Sequence, residues 1–492
     1  MGELKVAIIG GGAAGLSAAI YLQGTKVSGT EDTVQCSVYE ARDRWGGNVQ
    51  SAYTGFGRYS EPFGDLGVND FNHDTYVYFV SMLDYLAAHG FPVRYKTLCD
   101  TTLFFTPEGQ TPEVRYTYKQ MEAAPGGYLK AIRHDWCKFK KHLPTYLNDP
   151  KYRYLTVDEF CSAMGYSNDF IDLNLKPRIN GMYYTNGKDP GSMSIYGVMK
   201  YYHLQENISK GAEKSRKYFV DGASSWIHAA CGYLEKVGAD LRFNVRPEAT
   251  RAQGDKWVIR AEGLAPETFD VVISALPADK LGEVFGGGLP APVAQIAGGF
   301  EYLGSTSFFH TDTSVLPKDT GLWCTYNITI QDPHRKTDRP YVISYVSLMH
   351  QGINNASPPF VSVDPQGVSD DKVLEMFGPG DGVGKVPARS TLRHNTLYPQ
   401  NIKGQEELPA YQGASNLYYT GGWTTGAGLH EEVLGQSAFI AKQVRRLPAD
   451  DQREVHDPQD ASYVPRHLRT HGPDPAEVVH PVEEDHPLRN PA

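Results

Sequence analysis

The feature that most constrains this chain is Gly10-Gly11-Gly12-Ala13-Ala14-Gly15, a GxGxxG directly after a short β-rich run at residues 4–9. An apolar run of that length suits a strand buried on both faces of a parallel sheet. Gly10 allows the tight turn, Gly12 lets backbone approach a pyrophosphate, and Gly15 lets the next helix pack closely. Ala14 to Leu22 reads as that helix, and its N-terminal N–H groups offer partial positive charge to phosphates. A second strand, Cys36 to Tyr39, ends at Glu40, 25 residues after Gly15. An acid there suits hydrogen bonds to ribose hydroxyls and repels a 2′-phosphate. The motif alone does not separate one dinucleotide from another.

With 492 residues the chain has room for two or three domains. A net charge of −10 argues against sequence-independent nucleic-acid binding. Six cysteines, at 36, 99, 137, 161, 231 and 324, form no CxxC pair, so neither a metal site nor a redox dithiol is expected. The glycines at 10–15 interrupt the apolar stretch Val6 to Leu22, so it is not read as a signal peptide. No membrane-spanning helix is expected, and the cysteine usage suits the cytoplasm.

Further along, Phe79 to Leu86 and Val157 to Met164 show helical spacing within a mainly helical stretch from about 75 to 212. Ser225 to Leu234 reads as a helix, and Leu241 to Val245 and Lys256 to Ala261 as strands. Asp270 to Ala275 reads as a buried strand. Strands are also expected within Ser305 to His310, Leu322 to Asn327, Tyr341 to Leu348 and Asn416 to Thr420, and a last helix over Glu431 to Arg445. From Pro448 onward, eight prolines and five histidines stand among acids, which predicts a disordered or surface-draped tail.

The stretch after the second strand, Glu40-Ala41-Arg42-Asp43-Arg44-Trp45-Gly46-Gly47-Asn48, resembles the second signature of the flavin amine oxidase superfamily. There an acid is followed by Arg-x-Gly-Gly; Arg44, Gly46 and Gly47 match, while Asn48 stands where many members have another arginine. Val245, the strand running into Ala275-Leu276-Pro277, the Asn416 to Trp423 segment with Gly421 and Gly422, and Gly428-Leu429-His430-Glu431 fall in the superfamily's order. The chain is further similar to amine-oxidase-like NAD/FAD-binding proteins related to the N-terminal flavin domain of plant cyclopropane fatty acid synthases. Supporting stretches include Asp65 to Asn72 with Gly67, Thr156 to Pro177, His310 to Pro317, Trp323 to Asn327 and Pro359 to Pro365. The superfamily also includes polyunsaturated fatty acid isomerases, phytoene desaturases and L-amino-acid oxidases.

The resemblance implies an α/β (α+β) chain: a Rossmann-like GR2-type FAD-binding domain, with a mixed-sheet and helical substrate domain inserted. The pieces are 1–75, 213–275 and 406–447 for FAD, and 76–212 and 276–405 for substrate. It places FAD against Gly10, Gly12, Ala14, Gly15, Glu40, Ala41, Arg42, Arg44, Gly46, Gly47, Asn48, Gly67, Val245, Ala275, Leu276, Pro277, Gly421, Gly422, Trp423, Gly428, Leu429 and His430. No cysteine lies within 415–435, so a thioether link is not expected and FAD is held non-covalently.

Flavin oxidation needs a substrate C–H held over N5, with the protein supplying orientation and electrostatics. His430 and Glu431 are catalytic candidates, and the N-terminus of the last helix could stabilise charge at the reduced flavin's N1 edge. His310 and Asp312 suit either a proton-transfer pair or a hydrogen-bonded turn. Tyr419 and Trp423 suit either site walls or core packing; Tyr183, Tyr184, Tyr326 and Tyr345 are further wall candidates. Many amine oxidases place a lysine near N5 through a water, and none is matched here. The expected activity is hydride removal from an organic substrate, with oxygen or another acceptor restoring the flavin. Amine or amino-acid oxidation comes first, then desaturation or double-bond isomerisation of a lipid-like or polyketide-like molecule, then a non-catalytic flavin-binding scaffold. A homodimer is compatible with these readings.

Overall fold

The computed structural model describes residues 2–53, 62–98, 101–183, 185, 188–208, 215–333, 340–346, 359–365, 367–377 and 385–446. The expected tail at 448–492, Tyr184 and Cys99 lie outside them.

Five parallel strands form the first sheet. In space they run Asp240–Arg242, Thr33–Tyr39, Glu3–Ile9, Val271–Ser274 and Leu417–Tyr419. In chain order this is 3-2-1-4-5, the doubly wound arrangement whose ligand crevice lies at the carboxyl ends of the strands. Val6, Ile8 and Ala7 are wholly buried, as a strand covered on both faces demands.

One face packs on the helices Ala13–Leu22, Ser224–Lys236 and His430–Val444. Helix Val77–Ala88, whose residues fall in the segment expected to hold substrate, packs into this same core through Phe79, Met82 and Leu86. Nearly all of Ala13–Leu22 is buried. Its small side chains permit that approach: a Cβ on Gly15 would sit 1.8 Å from the Gly10 carbonyl oxygen. The other face carries an antiparallel sheet, Pro247–Arg251, Trp257–Ala261 and Glu267–Phe269, and the helices Leu281–Phe285 and Ala291–Gly298.

A seven-stranded mixed sheet stands beside this unit. Its order is Arg389–Asn395, Tyr302–His310, Phe360–Val363, Tyr341–Tyr345, Tyr326–Ile330, Thr102–Phe105 and Arg115–Thr117. Helices Gly127–Asn148, Val157–Met164, Lys176–Tyr183 and Ile195–Leu204 share a core with it. The Val157 helix has the expected bounds because both ends are signalled: Thr156 and Glu159 form a capping box, and Gly165 closes it at φ +63°.

Two local expectations fail. Leu241 to Val245 is a strand only over Asp240–Arg242, since Asn244 adopts φ +57° and turns the chain. Residues 322–325 are not part of a strand: a 3₁₀ turn capped by Asp319 occupies Thr320–Leu322, and the strand starts at Tyr326. Among the described residues no helix is long and apolar enough to cross a membrane.

Candidate active site

A cavity of about 770 Å³ runs from the carboxyl ends of the parallel strands to the mixed sheet, within the range usual for cofactor and ligand sites.

At the parallel-sheet end its wall is mostly backbone. Gly10 stands at φ +114°, where a Cβ would lie 2.6 Å from the Ala275 carbonyl oxygen. The first helix begins at Gly12 with no side-chain cap and no acid in its first turn. Its leading N–H groups, which a helix cannot satisfy internally, are left for a ligand; Gly12, Ala13 and Ala14 line the cavity there. Glu40 spans the turn: Oε2 accepts the Gly11 N–H at 2.8 Å and Oε1 the Arg42 N–H at 2.9 Å. Gly46, at φ +105°, donates its N–H to the Gly11 carbonyl at 2.8 Å. Open helix donors, an acid at the strand end and glycines that admit close approach fit a dinucleotide's pyrophosphate and ribose.

The middle of the cavity is closed by the segment before the last helix. Trp423 Nε1 donates to the Leu276 carbonyl at 2.9 Å, fastening this segment to the end of the fourth strand. Glu432 accepts the Ala427 and Leu429 N–H groups at 2.8 and 3.3 Å and pairs with Lys200 Nζ at 3.1 Å. The sequence reading missed this brace. Its signal was available: Glu432 stands three residues beyond Leu429, the spacing of an acid that caps its own helix.

Of the expected cofactor residues, Gly10, Gly12, Ala14, Glu40, Ala41, Arg42, Gly46, Gly47, Asn48 and Gly67 line the cavity. Ala275, Leu276, Pro277, Gly421, Gly422, Trp423, Gly428, Leu429 and His430 do too. Three expected residues are not on its wall. Gly15 acts one layer back, as a helix-packing residue. The Arg44 guanidinium turns onto its own loop, donating to the Gly47 carbonyl at 2.8 Å. Val245 lies past the strand end and donates its N–H to the Glu40 carbonyl at 2.9 Å, so Arg246 and Pro247 line the wall instead.

The catalytic candidates separate. His430 lies on the wall, its ring stacked on Phe79 at 5.2 Å and edge-on to Trp226 at 5.4 Å. Burial pushes it down to about 4, which leaves it neutral near pH 7. Glu431 points away and accepts the Tyr78 and Phe79 N–H groups at 3.0 and 3.1 Å. It thus satisfies the start of helix Val77–Ala88, and burial raises it to about 8. His310 lies off the cavity wall and is fully buried. Its Nδ1 accepts the Asp312 N–H at 3.1 Å, and Asp312 takes the Ser314 N–H at 3.0 Å. That is the hydrogen-bonded turn rather than a proton-transfer pair. Tyr419 is buried in the core beneath the parallel sheet, edge-on to Trp423, and does not reach the cavity.

The far end is built from side chains. Tyr183, Tyr326 and Tyr345 line it, together with Tyr76 and Tyr201. Ile328, Ile343, Val361 and Val363 add an apolar surface. Asp65, Asp70, Arg178, Gln205, Glu206 and Arg216 also face it, and none of these six was singled out from the sequence. They come from four separate stretches, and no local spacing marks them.

A model of the flavin-containing amine oxidoreductases matches residues 13–387. The chain belongs to that family. Membership makes it a flavin oxidoreductase. No curated protein matches it in sequence. Among solved structures it is similar to a CLA-producing fatty acid isomerase from P. acnes, at 16% identity and TM-score 0.64, covering 89% of this chain and 98% of that one. It is also similar to putrescine oxidase bound to putrescine, at 12% identity and TM-score 0.59, covering 90% and 98%. At these identities the likeness is one of fold.

Proposed function

We propose that this flavin oxidoreductase holds FAD non-covalently along the backbone-built wall and takes a hydride from an organic substrate seated at the tyrosine-lined end. The observation that carries the reading is the continuity of one cavity from the open helix at Gly12 past Gly421 and Gly422 to Tyr326 and Tyr345. In this reading residues 1–75, 213–275 and 406–447 form the FAD-binding part, extended by helix Val77–Ala88, which shares their core.

Once bound, the flavin supplies the hydride acceptor. The chain's own part is to orient and to dry. The first helix and Glu40 would hold the dinucleotide end, Trp423 and Glu432 keep the segment before the last helix in place, and the tyrosines and branched residues would exclude water from the substrate. His430, neutral and wedged between rings, serves as wall rather than base. Positioning the substrate over a reactive edge is what a protein contributes to such chemistry, together with electrostatics.

Amine or amino-acid oxidation and carbon–carbon desaturation or isomerisation share this geometry. One observation favours the second: among the described residues Lys280 is the one lysine on the cavity wall and it is paired with Glu283, while Lys200, paired with Glu432, is not on the wall. The test is an anaerobic screen of flavin bleaching, followed by aerobic assay. Peroxide released with an amine supports amine oxidation; a new diene absorbance without oxygen uptake supports isomerisation. Purified protein that is colourless and takes up no FAD defeats both.

A further inference from the structure

Three ion pairs around the cavity have both partners largely buried. Asp70 with Arg216, and Arg178 with Glu206, join residues that line the tyrosine end. Lys200 with Glu432 is different, because it joins two cores and neither residue lies on the cavity wall. Lys200 stands on helix Ile195–Leu204, whose Ile195, Val198 and Met199 pack in the core shared with the mixed sheet. Glu432 stands in the first turn of His430–Val444, which packs on the parallel sheet through Leu434, Ala438 and Ile440. Their side chains are 14% and 4% exposed, so the pair is nearly closed off from water.

The pair ends on backbone. Glu432 Oε1 meets Lys200 Nζ at 3.1 Å, while Oε2 accepts the N–H groups of Ala427 and Leu429 at 2.8 and 3.3 Å. Ala427, Gly428 and Leu429 are cavity wall. The chain can pass beneath the carboxylate only because residue 426 is glycine: at φ +41°, a Cβ there would lie 1.8 Å from Glu432 Oε1. From another side Gln405 Nε2 donates to the Trp423 and Gly426 carbonyls at 3.2 and 3.3 Å. The segment is thus held by Trp423, by Gln405 and by Glu432. Only the last of these holds is charged, and among the described residues Lys200 is the one cation paired with Glu432.

A carboxylate shut off from water needs a partner charge. With Lys200 in place the pair is neutral, and the second carboxylate oxygen is left to orient the two N–H groups. Without Lys200 a net negative charge would stand directly behind the wall. A flavin gains electron density on reduction, and protein charges close to it tune how readily it does so. In a dry site such a charge acts far more strongly than in water.

We propose that Lys200 is a positioning residue for the flavin. Acting through Glu432, it holds residues 427–429 against the bound cofactor and keeps the charge behind that wall neutral, which raises the flavin's reduction potential. The proposal rests on the assignment of this wall to FAD, and it makes the helix core beside the mixed sheet a contributor to the cofactor's tuning.

The test uses the FAD-loaded full chain at pH 8 with two variants, Lys200→Met and the double variant Lys200→Met/Glu432→Gln. Each is read for FAD affinity by fluorescence quenching, for the reduction potential of the bound flavin and for the urea midpoint. Lys200→Met is expected to bind FAD about 10–100-fold more weakly, the scale of a hydrogen bond to a charged group, and to shift the potential downward. The double variant removes both charges and leaves an amide oxygen for the two N–H groups, so its potential should return to the parental value. A merely structural role would lower the urea midpoint of Lys200→Met and leave its flavin potential unmoved. That result overturns the proposal, as does a double variant whose potential stays with that of Lys200→Met. Should Lys200→Met hold no flavin, the double variant decides: colour with the parental potential supports the proposal, and any other result overturns it. A parental protein that takes up no FAD sinks the cofactor reading instead, so the two failures are distinguishable.

Discussion

The two ends of the cavity are built from different materials. The dinucleotide end is backbone: glycine turns, uncapped helix N–H groups and one acid, Glu40, bonded to main chain. The tyrosine end is side chain: five phenols, four branched aliphatics and two closed ion pairs. At Gly10 the backbone wall has no room for an added Cβ, and the wall is specified by a few residues close together in sequence. A side-chain wall is specified by residues far apart, and single exchanges can retune it. The comparison teaches where such a protein can change its chemistry without losing its cofactor.

The sharpest way to break that contrast is Gly15→Val. Its Cβ would collide with a main-chain oxygen that cannot withdraw, so the protein is expected to lose flavin absorbance and cooperative unfolding altogether. Survival with colour would refute the rigid backbone wall. Asp70→Ala should come next. It strips Arg216 of its carboxylate in a buried site, and urea unfolding should report a loss of roughly 3–5 kcal/mol. A much smaller loss would show the ion pair to be wetter than its burial indicates.

Glu40→Ala should leave the fold intact and weaken FAD by about 10–100-fold, the scale of hydrogen bonds to a charged acceptor, as measured by quenching of flavin fluorescence on binding. The smallest effect is on pH dependence. His430 and His394 are held neutral by burial to about 4 in the folded chain, whereas unfolded histidine takes up a proton near its ordinary 6.5. The unfolded state therefore binds more protons between those values, and stability should fall as pH drops from about 6.5 to about 4. Asp65 and Glu431 act in the opposite sense. Their folded carboxyls stay protonated up to about 7 and about 8. Their ordinary values are 3.8 and 4.5, so stability contributed there falls as pH rises through that window. His430→Gln should make the acid-side slope shallower in urea midpoints measured across pH.

The same contrast explains what could be read from the sequence. Gly10, Gly15 and Gly46 are legible because each meets a steric demand that only glycine can, and Glu40 because an acid at the strand end can accept main-chain N–H groups. Trp423 is a different case. It was read as wall or packing, and it is both, with its indole pinned to Leu276. Arg44 was carried over from the superfamily's signature, in which that arginine approaches the pyrophosphate, yet here its guanidinium donates to carbonyls of its own loop. His310 and Glu431 misled for a related reason: a titratable side chain near a conspicuous motif can serve a turn or a helix start as readily as a substrate. Asp70, Gln205 and Arg216 were invisible because their meeting depends on the antiparallel pairing of Asp70–Asn72 with Arg216–Phe219, which no local pattern announces.

The first and last helices touch: Ser437 Oγ donates to the Ala14 carbonyl across 423 residues of chain. A ribosome making this protein therefore finishes the glycine turn long before it makes the segment that closes over it. Until the final helix emerges, the nascent chain owns half a pocket, exposed to whatever else in the cell recognises an open strand edge or an apolar face. The cofactor's crevice is therefore complete only once the segment carrying Ser437 has been made.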